Sequence, residues 1–130
     1  LKKLGTSKQE ARFFLPPYEW YNDTIAAWTR EIGLQLISYT PGTLSHADYT
    51  TPDAPNYRSS EAIYQSILRY AEKDRNGLNG FFLLLHIGAG PKRTDKFYER
   101  LPQLLEWLGK EGYRVAGPQS TVDGPQTKLY

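Results

Sequence analysis

The sequence predicts an α/β fold in which parallel strands alternate with helices, and three observations predict it. An uninterrupted apolar run, Phe81 to Leu85, is bounded by Gly80 and ends on His86, Ile87 and Gly88. Runs of this kind read as strands buried on both faces, as in parallel sheets covered by helices. Strand-like and helix-like patterns also alternate along the chain, which implies crossovers between parallel neighbours. Finally, the helical stretches open on capping residues and close on glycines.

In order, Arg12 to Leu15 predicts a brief strand stopped by Pro16-Pro17. Asn22 caps a helix with Ile25, Trp28 and Ile32 on one face and Gly33 as its stop. Leu34 to Tyr39 is the next strand. Thr40 to Arg58 has almost no periodic pattern, and a loop of that length in a compact domain is functional or disordered. Its tyrosines, His46 and two aspartates favour function. Ser59 or Ser60 caps a helix carrying Ile63, Ile67, Leu68 and Ala71. After the Gly88 to Pro91 loop, Thr94 or Asp95 caps another, with Phe97, Leu101, Leu104, Leu105 and Leu108 on its stripe. Pro102 interrupts that stripe, which implies a kink or a later start. Tyr113 to Ala116 is the last strand. Leu1 to Gly5 has the look of a helix's closing turn, and residues 118–130 read as an extended or disordered tail after a domain over 1–117.

Composition narrows the function. The 130 residues carry a formal charge of +2, which points to no nucleic-acid or anionic-membrane partner. There is no cysteine, so neither a disulfide framework nor a thiolate nucleophile is available. No stretch approaches the ~20 apolar residues of a membrane span. Ten tyrosines and three tryptophans suit a carbohydrate-binding surface and equally a packed core. His86, at the carboxyl end of its predicted strand, stands where α/β sheets place their chemistry. The alternative is a core histidine bonded to a backbone carbonyl.

Three segments carry a family resemblance. Phe13-Phe14-Leu15-Pro16-Pro17-Tyr18-Glu19 with Asn22 resembles the third motif of the polysaccharide deacetylases (the NodB-homology family, carbohydrate esterase family four), usually Phe-Arg-Pro-Pro-Tyr-Gly. Leu84 and His86 are similar to the fifth motif, a leucine and a histidine one residue apart. Asp48-Tyr49 occupies the place of the fourth, an aspartate followed by tryptophan. The resemblance covers about Leu1 to Ala116 and implies the C-terminal half of a distorted (β/α) barrel.

The function implied is hydrolysis of acetyl groups on a xylan-, chitin- or peptidoglycan-like polysaccharide. His86 would be the general acid and Asp48 the carboxylate that orients it. Leu84 would line the acetyl pocket. The backbone amide of Tyr18, set by the Pro17 turn, would steady the oxyanion, while Tyr49 would stand where a tryptophan lids the site. Trp20 is a candidate to stack on sugar, as are Tyr39, Tyr49 and Tyr57. The family's divalent metal (zinc or similar) would be held by motifs upstream of Leu1, outside this chain, so the fragment alone would be inactive. An exported location is implied by the same resemblance, and a halved barrel implies self-association through an exposed sheet edge.

Two departures stand out. Leu15 replaces the arginine that holds the family's catalytic-base aspartate, and Glu19 replaces a glycine. Leu15 favours an alternative, a non-catalytic carbohydrate-binding or assembly module derived from the same fold. A third reading groups His46, Asp48 and His86 as a zinc-type site.

Overall fold

Side-chain caps set the starts of the helices over Asp23–Glu31 and Ser60–Lys73, whereas the helix over Leu101–Lys110 has none, and neither Thr94 nor Asp95 caps it. The structure, a computed structural model, describes residues 10–118. The expectations for Leu1 to Gly5 and for the tail beyond Pro118 lie outside the described residues. The chain forms two compact units, one up to Tyr39 and one from Thr40.

In the first unit, strand β1 (Phe13–Phe14) pairs in parallel with β2 (Gln35–Leu36), Phe13 opposite Gln35 and Phe14 opposite Leu36. Between them runs helix α1 (Asp23–Glu31), whose cap is Asn22: its Oδ1 accepts from the Ile25 amide at 3.0 Å. The predicted apolar face of α1 is largely uncovered. Thr29 is the helix's buried residue, while Trp28 and Ile32 are exposed. The period was right for a helix, but a sheet only two strands wide has little face to offer it.

The second unit holds helix α2 (Ser60–Lys73) and helix α3 (Leu101–Lys110), with short 3₁₀ turns at Ser45–Ala47 and Phe97–Arg100. Ser59 caps α2, its hydroxyl accepting from the Ala62 amide at 3.1 Å. Ile63, Tyr64 and Ile67 of α2 pack with Phe97 and Leu104 into the core, and Leu44, Leu68, Leu83 and Leu85 lie against it. Each fully buried aliphatic or aromatic side chain there contributes roughly 1.5–3 kcal/mol relative to exposure. Pro102 lies in the first turn of α3, where a missing N–H costs no helical bond. The stripe begins in a 3₁₀ turn, so the proline does not kink the helix.

The barrel expectation is corrected. Among the described residues the sheet is open, parallel and two-stranded, and the domain is a small mixed α/β unit rather than a (β/α) barrel or half of one. Neither Gly80 to Gly88 nor Tyr113 to Ala116 joins a ladder. Phe81 to His86 is half-buried throughout instead of buried on both faces. A strand exists through its neighbour's hydrogen bonds. This run bonds Thr40, whose amide donates to Phe82 O and whose hydroxyl accepts from Phe82 N, both at 2.9 Å, while the Phe81 and His86 amides donate to Leu78 O and the Asp48 carboxylate, so no ladder is built. Among the described residues no helix is long and apolar enough to cross a membrane.

The turn between α2 and the apolar run depends on Gly77, with φ +58°. A Cβ there would lie 2.2 Å from the Tyr113 hydroxyl, which accepts from the Leu78 amide at 3.2 Å. Gly77→Ala is therefore expected to cost about 1–2 kcal/mol or more, from the left-handed backbone and the displaced tyrosine. Chemical denaturation of the two proteins measures it.

Candidate active site

The long loop that lacks periodicity is ordered by its polar side chains. Ser66 of α2 accepts from the Leu44 amide at 2.9 Å, and Thr43 and Ser45 bond to one another at 3.1 Å. The 3₁₀ turn Ser45–Ala47 follows, and Thr50 closes it by bonding Ala47 O through both its amide and its hydroxyl, at 3.0 and 2.6 Å. Asp48 is thereby fixed inside the turn and is almost wholly buried, 1% exposed.

Its carboxylate is used twice by one residue. Oδ2 accepts from the His86 backbone amide at 2.6 Å, and Oδ1 meets His86 Nδ1 at 2.6 Å. Buried carboxylates require such partners, and bonds to an ionised acceptor are short and strong. With Nδ1–H directed at Asp48, Nε2 is the ring nitrogen left for chemistry. The His86 side chain is 34% exposed, so the ring is neither sealed in the core nor free in solvent. Tyr49, half-exposed, sets its ring edge-on to the imidazole with centroids 5.0 Å apart. Leu83 and Leu85 pack on the core, and Leu84 between them is half-buried.

The structure thus brings together His86, Asp48 and Tyr49, and it does so without the predicted strand. Concavities of about 420 and 390 Å³ occur elsewhere in this unit, and neither is lined by His86, Asp48 or Leu84. Tyr57 is removed from the sugar-stacking candidates: its hydroxyl donates to Asp95 Oδ1 at 3.0 Å and its ring lies beneath Arg93. His46 is half-buried and does not combine with Asp48 and His86. Among the described residues no group of three or more histidine, aspartate or glutamate side chains could hold a metal ion.

The other predicted residues belong to the first unit. Pro17, Tyr18 and Glu19 form a 3₁₀ turn closed by Glu19 N to Pro16 O at 2.9 Å and Trp20 N to Pro17 O at 3.3 Å. These bonds use the amides of Glu19 and Trp20 and leave that of Tyr18 outside them. Tyr18 (φ 58°) and Glu19 (φ 55°) are both left-handed, which costs non-glycine residues roughly 1–3 kcal/mol each. Tyr18 and Trp20 are 90% and 83% exposed, Tyr21 and Leu15 about half. Sequence reasoning did not single out Arg93, a guanidinium with no exposure at all. Its signal was an arginine in a Gly/Pro-rich loop between two core segments.

Comparison with protein-family models, with curated proteins and with solved structures found no match. The expected labels of hydrolase and carbohydrate esterase are thus supported by no comparison, and the label of barrel is overturned by the open two-stranded sheet.

Glu19→Gly relaxes the left-handed position and is expected to raise stability by up to ~1 kcal/mol, read by thermal denaturation. A second expectation concerns Asp95. Burial pushes its carboxyl up, but the Ser60 amide and the Tyr57 hydroxyl, with Arg93 beside it, hold it below the ordinary carboxylate value. A group with a lowered folded pKa contributes stability above its unfolded pKa and loses it as pH falls through the folded one. The stability gap between the native protein and Asp95→Asn should thus be full near neutrality and close below about pH 4. Melting curves across pH measure this.

Proposed function

We propose that the His86–Asp48 pair is the proton-transfer element of a carbohydrate deacetylase. The observation that carries this reading is the double grip of one buried carboxylate on the amide and the imidazole of a partly exposed histidine. Asp48 holds the ring in one tautomer and orientation and stabilises the imidazolium. His86 Nε2 delivers its proton to the departing sugar oxygen or nitrogen as the tetrahedral intermediate collapses. A positioned acid of this kind contributes typically ~10²–10⁴-fold. Leu84 supplies an aliphatic wall for the acetyl methyl, and Tyr49 an aromatic edge at the rim.

The divalent cation implied by the resemblance finds no fitting ligand set among the described residues. It would need ligands from elsewhere in the polypeptide, and no step is drawn through it. The second reading, a carbohydrate-binding module, is supported by the exposed Tyr18, Trp20 and Tyr21 beside Leu15. Aromatic side chains offering a ring face and a polar tip suit sugars.

Acetate release from acetylated xylan, chitin oligomers and peptidoglycan, with and without chelator, by a polypeptide that also carries the metal-binding motifs the resemblance implies tests the proposal. Release is expected, and His86→Ala should slow turnover by about 10²–10⁴-fold while sugar binding, read by titration calorimetry, is kept. Binding without release from any of these substrates would leave the module reading in its place.

A further inference from the structure

His86 and Asp48 come from segments 38 residues apart that share no sheet ladder. Two hydrogen bonds set their contact, but something must hold the two loops in register. Seven residues beyond His86, Arg93 is wholly buried. One terminal nitrogen donates to Thr50 O at 2.7 Å, and the other to Ser60 Oγ at 3.1 Å. Nε donates to Asp95 O at 3.1 Å, and the Asp95 carboxylate stands 3.7 Å from the guanidinium. Its own amide bonds Gly90 O at 3.1 Å. Lys96 gathers Ala89 O and Gly90 O at 2.7 and 2.6 Å, folding the intervening loop onto itself.

Thr50 is the residue whose amide and hydroxyl close the turn around Asp48. The loop that leaves His86 therefore reaches back, through one side chain, to the turn that presents its carboxylate. From this we infer that Arg93 is a positioning residue for the acid–base pair, clamping the Asp48 turn and the His86 loop to the N-terminus of α2. Lysine cannot replace it, because the acceptors at Thr50, Ser60 and Asp95 lie in different directions and only a planar fork addresses them together. Misplacement of a reacting group by about 1 Å costs on the order of 10²-fold, so a clamp remote from Nε2 still governs the chemistry.

The inference rests on the proton-transfer reading of His86 and Asp48, and its test reads their geometry without substrate. The chain has two histidines, so His46→Gln assigns the His86 Nδ1 proton in NMR spectra. The native protein is expected to show a downfield Nδ1 proton protected from solvent exchange. In Arg93→Lys, exchange should be about tenfold faster, with Ser60→Ala moving it less in the same direction. Leu104→Ala, which loosens the core between α2 and α3, should lower the melting temperature and leave the proton protected. Unchanged exchange in Arg93→Lys, or equal acceleration in Leu104→Ala, overturns the clamp. Should Arg93→Lys fail to fold, Ser60→Ala decides: faster exchange supports the clamp and unchanged exchange overturns it. Absence of a protected proton in the native protein counts against the pair itself, and so against both readings.

Discussion

A carboxylate taken out of water must be met by donors, and Asp48 meets this requirement through a single residue. Its two oxygens bind the amide and the ring of His86, so one interaction fixes both the backbone path after the apolar run and the rotation of the imidazole. Leaving that carboxylate unpaired would cost several kcal/mol. The loops on either side are correspondingly constrained, and the remaining ring nitrogen inherits a defined direction.

Around this interaction the second unit uses polar atoms where a larger domain would use sheet. Ser66 on α2 takes the Leu44 amide, Thr50 closes the turn, and Arg93 spans three carbonyl or hydroxyl oxygens. The aliphatic core of Ile63, Ile67, Phe97 and Leu104 supplies the non-directional attraction. The polar ties supply register, since each bond is satisfied in one arrangement only. Two loops without secondary structure can in this way hold a pair of side chains at hydrogen-bond distance.

The first unit shows the opposite economy. Its short parallel ladder leaves much of the α1 face uncovered, and the double-proline turn holds two non-glycine residues in left-handed backbone. Strain at such a position persists where surrounding structure over-determines it. Here the proline pair fixes the entry, and the two turn bonds fix the exit. The outcome is a projecting group of aromatic side chains on a backbone with few alternatives.

By itself the sequence determined what depends on local chemistry. Asn22 and Ser59 could satisfy orphan amides, and α1 and α2 begin there; Ile63, Ile67 and Leu104 recur at helical period and are buried. His86 and Asp48 were legible as a pair through the motif resemblance. The tertiary structure decided what depends on neighbours. Whether Phe81 to Leu85 is a strand turns on having a partner edge, and Thr40, which bonds the backbone of Phe82, does not extend into a ladder. The predicted barrel is replaced by a two-stranded open sheet for the same reason. Tyr57 and Arg93 acquired their places from contacts 33 to 43 residues away, to Asp95, Ser60 and Thr50. Periodicity is blind to those contacts, because it records spacing along the chain and not which loop a side chain will meet.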